Sequence, residues 1–404
     1  MAKKKRQKKQ SFMPQLPPEI ITDILLRLPV ELLLRLRFVC KAWESLITSH
    51  HFVQMHLNHA IDDDKRNNRH TVILSSYNSV KLLRSGASNG KVVNVKFPLK
   101  NPKGFKVVGC CNGLLCVVLY DDAIFLWNPS TGDYKKLPVP SSVESPGQEK
   151  FGLGYQDLLG LGYDSSIDDY KVVKLRCKAR AEIPMGTTTA DIYMLKSDSW
   201  KKTQVLSYNV YFDFKPEHEN FLNGALYCRS EKNGVLYWKV IDFNFNDAVL
   251  RFDIRDEKLT MVYPPHDVGV AHGRIFRLGV FGGSLCVVQN HQERGVEIWA
   301  LKEDGDVKFS WSKLVSIPRM EKMRPNWFLA PICFTKNGGE VLMSVRRKEK
   351  YDSFSRQKKF YLYKQDEKAT FKEFLIHYTS YCLWKEEITF IESLVSPNGV
   401  GTER

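Results

Sequence analysis

The sequence predicts two units of different class: a small all-α module, then a large all-β domain built as a propeller of about six blades. An irregular two-sheet β sandwich is the alternative arrangement for the second unit. Three observations carry this. Apolar residues recur at helical spacing between residues 16 and 60, and from Thr71 onward the period changes to short strand-like runs. A turn motif carrying glycine then recurs along the β part. Finally, 404 residues is long for one compact core and fits one small unit and one large one. The expected boundaries are a disordered basic tail over 1–15, the helical module over 16–60 and a linker over 61–70. The β domain follows over 71–396, with a short tail over 397–404.

In the helical module, Pro17 and Pro18 fix φ and suit the first turn of a helix. Ile20, Ile21, Ile24, Leu25 and Leu28 then form one apolar face, and Pro29 ends the helix. A second helical run carries Leu32, Leu33, Leu36, Val39, Trp43, Leu46 and Ile47, and a third, short one carries Phe52, Val53 and Leu57. About 45 residues make a weak independent core. Leu32, Leu33 and Leu34 hold more apolar surface than one face can bury internally, so a partner surface is expected. The polar stretch Asp62–Arg69 reads as the linker.

In the β part, runs such as Val72–Ser75, Leu115–Leu119, Ile124–Trp127, Val235–Val240 and Val341–Val345 are separated by Gly, Asn, Asp and Pro. Asn112-Gly113-Leu114-Leu115 resembles Asn223-Gly224-Ala225-Leu226, Gly282-Gly283-Ser284-Leu285 and Gly338-Gly339-Glu340-Val341. The first separation, Gly113 to Gly224, is about twice the later ones, which predicts a degenerate unit near Asp169, where aspartates replace the turn glycine. A unit of this length holds four short strands, one propeller blade. The glycines are expected to permit φ > 0 in a tight turn before each inner strand. Five units follow from the glycines; residues 71–105 and 378–395 together are expected to close a sixth.

Leu16-Pro17-Pro18-Glu19-Ile20, Ile24-Leu25, Leu28-Pro29 and Val39-Cys40-Lys41-Ala42-Trp43 resemble the F-box motif in order and spacing. The resemblance implies docking on a Skp-type adaptor, and through it on a cullin and the ubiquitin-conjugating machinery. It implies that Leu16, Pro17, Ile20, Leu28, Pro29, Leu33 and Cys40 face the adaptor while Trp43 packs internally. Leu32 departs from the pattern, since plant members usually carry a small polar residue there. Three further segments resemble the kelch-related F-box-associated domain of plants. They are Leu126-Trp127-Asn128-Pro129-Ser130-Thr131-Gly132, Gly162-Tyr163-Asp164 with Asp169-Tyr170-Lys171-Val172-Val173, and Glu297-Ile298-Trp299 with Ser310-Trp311-Ser312-Lys313-Leu314. The implied role is a non-catalytic receptor that holds a target protein beside a ubiquitin-loaded enzyme. A non-degradative adaptor-bound regulator is left open.

Charge and chemistry fit that role. The net charge is +15, and Lys3, Lys4, Lys5, Arg6, Lys8 and Lys9 supply six of it, a composition that suits a nuclear-import signal. The rest is spread too thinly to make a nucleic-acid binder. Nine scattered cysteines form no CxxC pair and no zinc-ligand spacing, so no metal or cofactor is expected and a reducing compartment, nucleus or cytoplasm, is. No run is long enough to span a membrane. His56 with His59, Asp121 with Asp122, and Asp168 with Asp169 are the nearest approaches to a catalytic or metal cluster, and each reads better as a helix end or a turn. Among the loops, residues 346–359 stand out as a long connection. Arg346, Arg347, Lys348, Lys350, Arg356, Lys358 and Lys359 frame Tyr351 and Phe354, the composition of a site for an acidic or phosphorylated target.

Overall fold

The computed structural model describes residues 16–67, 71–76, 79–84, 91–99, 104–119, 122–140, 155–178, 188–206, 226–229, 234–242, 246–265, 276–291, 294–304, 308–320, 327–334, 340–347, 357–364, 370–377 and 384–399. Four helices come first: α1 (Pro18–Leu26), α2 (Val30–Leu36), α3 (Lys41–Thr48) and α4 (His50–Asn67). Pro17 and Pro29 occupy the N-cap positions of α1 and α2, where a missing N–H costs nothing. The second run is not one helix. It breaks at Arg37–Cys40, and Cys40 is fully extended at φ −161°, ψ 160°. The third run is not short. Ser49 accepts from the Phe52 amide at 3.2 Å and starts α4, which continues for 18 residues. The stretch expected to be a linker from 61 is therefore helical as far as Asn67. Its Asp, Lys and Arg residues contain no proline or glycine to stop the helix.

Six four-stranded antiparallel sheets follow, as the sequence predicts. Blade 1 contains β1 (Thr71–Ser76), β2 (Val80–Arg84) and β3 (Lys91–Val95). Blade 2 is β4 (Phe105–Cys111), β5 (Leu114–Leu119), β6 (Ile124–Trp127) and β7 (Tyr134–Lys136). Blade 3 is β8 (Tyr155–Asp164), β9 (Asp169–Lys178), β10 (Thr188–Met194) and β11 (Ser199–Leu206). Blade 4 is β12 (Leu226–Arg229), β13 (Gly234–Ile241), β14 (Asp247–Asp253) and β15 (Lys258–Val262). Blade 5 is β16 (Phe276–Phe281), β17 (Ser284–His291), β18 (Gly295–Asp304) and β19 (Lys308–Ile317). Blade 6 is β20 (Trp327–Phe334), β21 (Glu340–Arg347), β22 (Gln357–Lys364) and β23 (Thr370–His377). The last strand, β24 (Trp384–Phe390), returns to blade 1 and pairs antiparallel with β1, Thr71 opposite Phe390. First strands of successive blades are neighbours, and β24 stands between β20 and β4 to complete the ring.

Strand periodicity builds the core between blades. On β13, Leu236, Trp238 and Val240 pack toward blade 3, while Val235 and Tyr237 pack toward blade 5. A strand buried on both faces needs a continuous apolar run, which is what Val235–Trp238 supplies. Each such fully buried side chain contributes about 1.5–3 kcal/mol.

Two details of the repeat differ from expectation. The glycine turn follows the inner strand of a blade; it does not precede it. Asn112 (φ 50°) and Gly113 (φ 85°) join β4 to β5, and Gly282 and Gly283 (φ 60° and 81°) join β16 to β17. In blade 3 Asp168 (φ 53°) fills the same place, as the degenerate unit required. Gly224 is not the equivalent turn of blade 4, because it precedes the first strand, β12; that turn lies between Arg229 and Gly234. Gly224 and Gly339 themselves lie outside the described residues.

Candidate functional site

The helical module buries one set of apolar residues and leaves another in solvent. Leu25, Val30, Leu33, Ile47, Phe52 and Leu57 are buried. Leu16, Ile20, Ile24, Leu32, Phe38 and Val39 are exposed, Phe38 at 91%. Ile20 and Ile24 lie four apart on α1 and so share a face. Phe38, Val39 and Cys40 are exposed in the break between α2 and α3, where no helix can fold them inward. Six large apolar side chains exposed within 24 residues form a surface that water does not favour.

His56, the buried member of the α4 histidines, serves the module internally. Its Nε2 donates to the Leu28 carbonyl at 3.0 Å. Burial, opposed by that bond and aided by His59, lowers its pKa. No group of three His, Cys, Asp or Glu among the described residues is placed to hold a metal. No helix among them is long and apolar enough to cross a membrane.

The propeller has two unlike ends. In each antiparallel blade the first–second and third–fourth strand turns share one end; the second–third turns share the other. Helices meet the first of these. His50 on α4 contacts Asp168, in the β8–β9 turn, at 3.1 Å. The same Asp168 accepts from Tyr163 at 2.5 Å and from Lys196 at 3.1 Å. Burial would raise its pKa, but these bonds and the neighbouring charges hold it below the usual carboxylate value. β21 ends and β22 begins at the opposite end, away from the helices.

The expected aspartate pair at 168–169 is thus structural. Asp169 accepts from the Tyr170 and Lys196 amides at 2.8 and 3.0 Å. Beside it, Lys171 is buried between Asp164 and Glu257, each at 3.0 Å, and donates to the Ile254 carbonyl at 2.9 Å. This ties blade 3 to blade 4. Two tryptophans make the same kind of tie. Trp200 Nε1 donates to the Pro138 carbonyl, from blade 3 to the end of blade 2, at 2.6 Å. Trp311 Nε1 donates to the Tyr263 carbonyl, from blade 5 to the end of blade 4, at 2.8 Å. Cys110, Cys116 and Cys286 have thiol pKa values pushed up by burial to about 12, which makes them inert at neutral pH.

Comparison with known proteins now decides the family. Residues 68–397 match the model of the F-box associated beta propeller domain, and residues 13–55 match that of the F-box domain. The chain belongs to the F-box-associated β-propeller family. Relatives in Arabidopsis thaliana include F-box protein CPR1, 28% identical over 82% of this chain and 80% of its own length. The F-box/kelch-repeat protein At3g23880 is 30% identical over 79% of this chain and 84% of its own. Among solved structures the six-bladed fungal lectin of Aleuria aurantia covers 75% of this chain and 88% of its own at 9% identity, with a TM-score of 0.38.

Within this F-box, Leu16, Pro17, Ile20, Pro29 and Cys40 are on the surface, and Leu28 is half-buried against the helical core. Trp43 packs against that core, as expected. Leu33 does not face outward. It is 0% exposed, and its neighbour Leu32 takes the outward position. Sequence reasoning did not single out Ile24, Leu32, Phe38 and Val39 as exposed apolar residues. The signal for Leu32 was the leucine excess itself.

The basic region of 346–359 is shorter as a loop than expected. Arg346 and Arg347 end β21, Lys358 and Lys359 lie on β22, and the connection is 348–356. Lys359 pairs with Glu373 at 3.0 Å across to β23, and Tyr361 donates to the same carboxylate at 2.7 Å. Lys348, Tyr351, Phe354 and Arg356 lie outside the described residues, as do Lys3, Lys4, Lys5, Arg6, Lys8 and Lys9.

Proposed function

We propose that this F-box protein is the target-recognition subunit of a Skp–cullin–F-box ubiquitin ligase. The observation that supports it best is the division of labour in space. An apolar patch stands exposed on the F-box helices, which meet one end of the propeller, and among the described residues no helix reaches the other end, which is where the target would bind. On this reading Leu16, Pro17, Ile20, Ile24, Leu32, Phe38 and Val39 dock on the adaptor. The propeller raises the local concentration of the target beside the ubiquitin-loaded enzyme. The test is affinity purification with the proteasome blocked, comparing wild type with Ile20→Asp/Leu32→Asp. Adaptor and cullin should be lost from the variant while the target is retained and accumulates. A variant that still retrieves the adaptor overturns the reading.

For the target we propose an acidic or phosphorylated segment bound at the far end of blade 6. The charge of Arg346, Arg347, Lys348, Arg356 and Lys358 supports this; Lys359 is withdrawn from the set by its pair with Glu373. Reversing Arg346, Arg347 and Lys358 to Glu should abolish target capture and spare adaptor binding. Unchanged capture places recognition elsewhere. For the basic tail we propose nuclear import, checked by deleting 3–9 in a fluorescent fusion, which should move to the cytosol.

A further inference from the structure

Beyond β24 the chain runs through Ile391–Gly399 without joining any sheet, yet Ser393, Leu394 and Val395 are buried. Blade 2 grips this segment with polar groups. Asn128, itself 0% exposed, donates through Nδ2 to the carbonyls of Ser393 and Val395 at 3.0 and 2.7 Å. Ser393 Oγ donates to the Asn112 carbonyl at 2.8 Å. A Cβ on Gly113 would stand 2.1 Å from Ser393 Oγ and 2.9 Å from the Ile391 carbonyl, so the turn has to be glycine for the segment to lie there. The apolar side chains of the segment belong elsewhere as well. Leu394 and Val395 lie in one continuous apolar cluster with Leu25, Val30, Leu33, Ile47, Phe52, Leu57 and Ile61 of the helices and Leu114, Tyr163 and Tyr170 of blades 2 and 3.

We infer that residues 391–398 are a strap that fixes the F-box helices to blades 2 and 3 and so sets the direction in which the propeller's far end points. The strap begins where the ring closes, since β24 completes blade 1 just before it. Its backbone is held by Asn128 and its apolar side chains fill the joint. The His50–Asp168 contact is half in solvent and adds little by itself. The residues of the F-box surface patch are not part of this joint, so its failure leaves adaptor docking intact.

Hydrogen exchange on the full chain tests this. In wild type, amides of 391–398 and of α4 should be protected as one unit and open together. Leu394→Ser/Val395→Ser should speed exchange in α4 at least ten-fold and increase the radius of gyration by small-angle scattering. The strands of blades 4 and 5 should stay protected and adaptor affinity should stay within two-fold. Asn128→Ala, which leaves the apolar contacts in place, should give a smaller change in the same direction. Unchanged α4 exchange in both variants overturns the strap. So does a wild-type chain whose 391–398 amides exchange freely while α4 stays protected, a readout available even where a variant fails to fold.

Discussion

The F-box helices and the propeller treat apolar residues in opposite ways. Among the described residues, the helices leave six large apolar side chains in solvent within residues 16–39, while the propeller scatters five, Tyr134, Val139, Ile167, Tyr263 and Leu314, among its six blades. A ring gives each blade two neighbours, so its inner strands bury both faces and, among the described residues, little apolar surface is left over. Three short helices and a longer one cannot do that, and the surplus stays in solvent. Apolar surface is thus left exposed together in one region and only in scattered places in the other.

The largest effect that would sharpen this contrast is inside the propeller. Lys171→Ala leaves Asp164 and Glu257 facing each other between blades 3 and 4 and should cost about 3–5 kcal/mol, read by urea unfolding. Adaptor binding should survive wherever the protein is folded. Next, Ile20→Asp/Leu32→Asp should weaken adaptor binding about 100-fold by calorimetry, with the thermal midpoint within a few degrees of wild type. A fall in stability instead of affinity would erase the contrast. Leu33→Ala should behave in the reverse manner, destabilising the helices by about 2–5 kcal/mol with a loss of α signal in circular dichroism.

The Lys171 cluster also sets a pH window. Burial disfavours the ionised form of all three groups, but the bonds and charges among them win. Asp164 and Glu257 are held below their usual values and Lys171 above its usual value. The carboxylate contribution is present above the ordinary carboxylate range and is lost as pH falls through the lowered values. The lysine contribution is full below pH about 10 and is lost as pH rises through the raised one. Blade 3–4 stability should be flat between about pH 5 and 10, and Lys171→Ala should lower that plateau. The smallest effect belongs to Lys359→Ala. It breaks a surface pair with Glu373 and should change stability by less than about 0.5 kcal/mol.

Much of this was legible in the sequence, and the misses have physical causes. Pro17, Pro18 and Pro29 punctuate the helices in any context. Arg37-Phe38-Val39-Cys40 carries no such mark, so the break there was invisible and the exposure of Phe38 and Val39, unlike that of Cys40, was missed. Three leucines in a row span more than half a helical turn, and spacing could not say that Leu33 turns inward and Leu32 outward. Strand runs and turn glycines announced six blades, because Gly113, Asp168 and Gly283 each occupy a positive-φ turn. Two Asn-Gly pairs ten residues apart, at 223–224 and 233–234, competed for the blade 4 turn, and only strand pairing selects the second. Asn128 reaching residues 393 and 395, and Lys171 reaching Glu257, depend on long-range closure that no local pattern carries.

The pairing of β24 with β1 also imposes an order in time. Blade 1 presents β1 to the growing chain about 310 residues before its partner strand has been made, an interval of roughly 15–60 s at ordinary rates of synthesis. Through that interval the nascent protein carries an open ring with an unpaired strand edge, alongside F-box helices whose apolar patch is already out of the ribosome. A chaperone has its opportunity there, before the ring is closed.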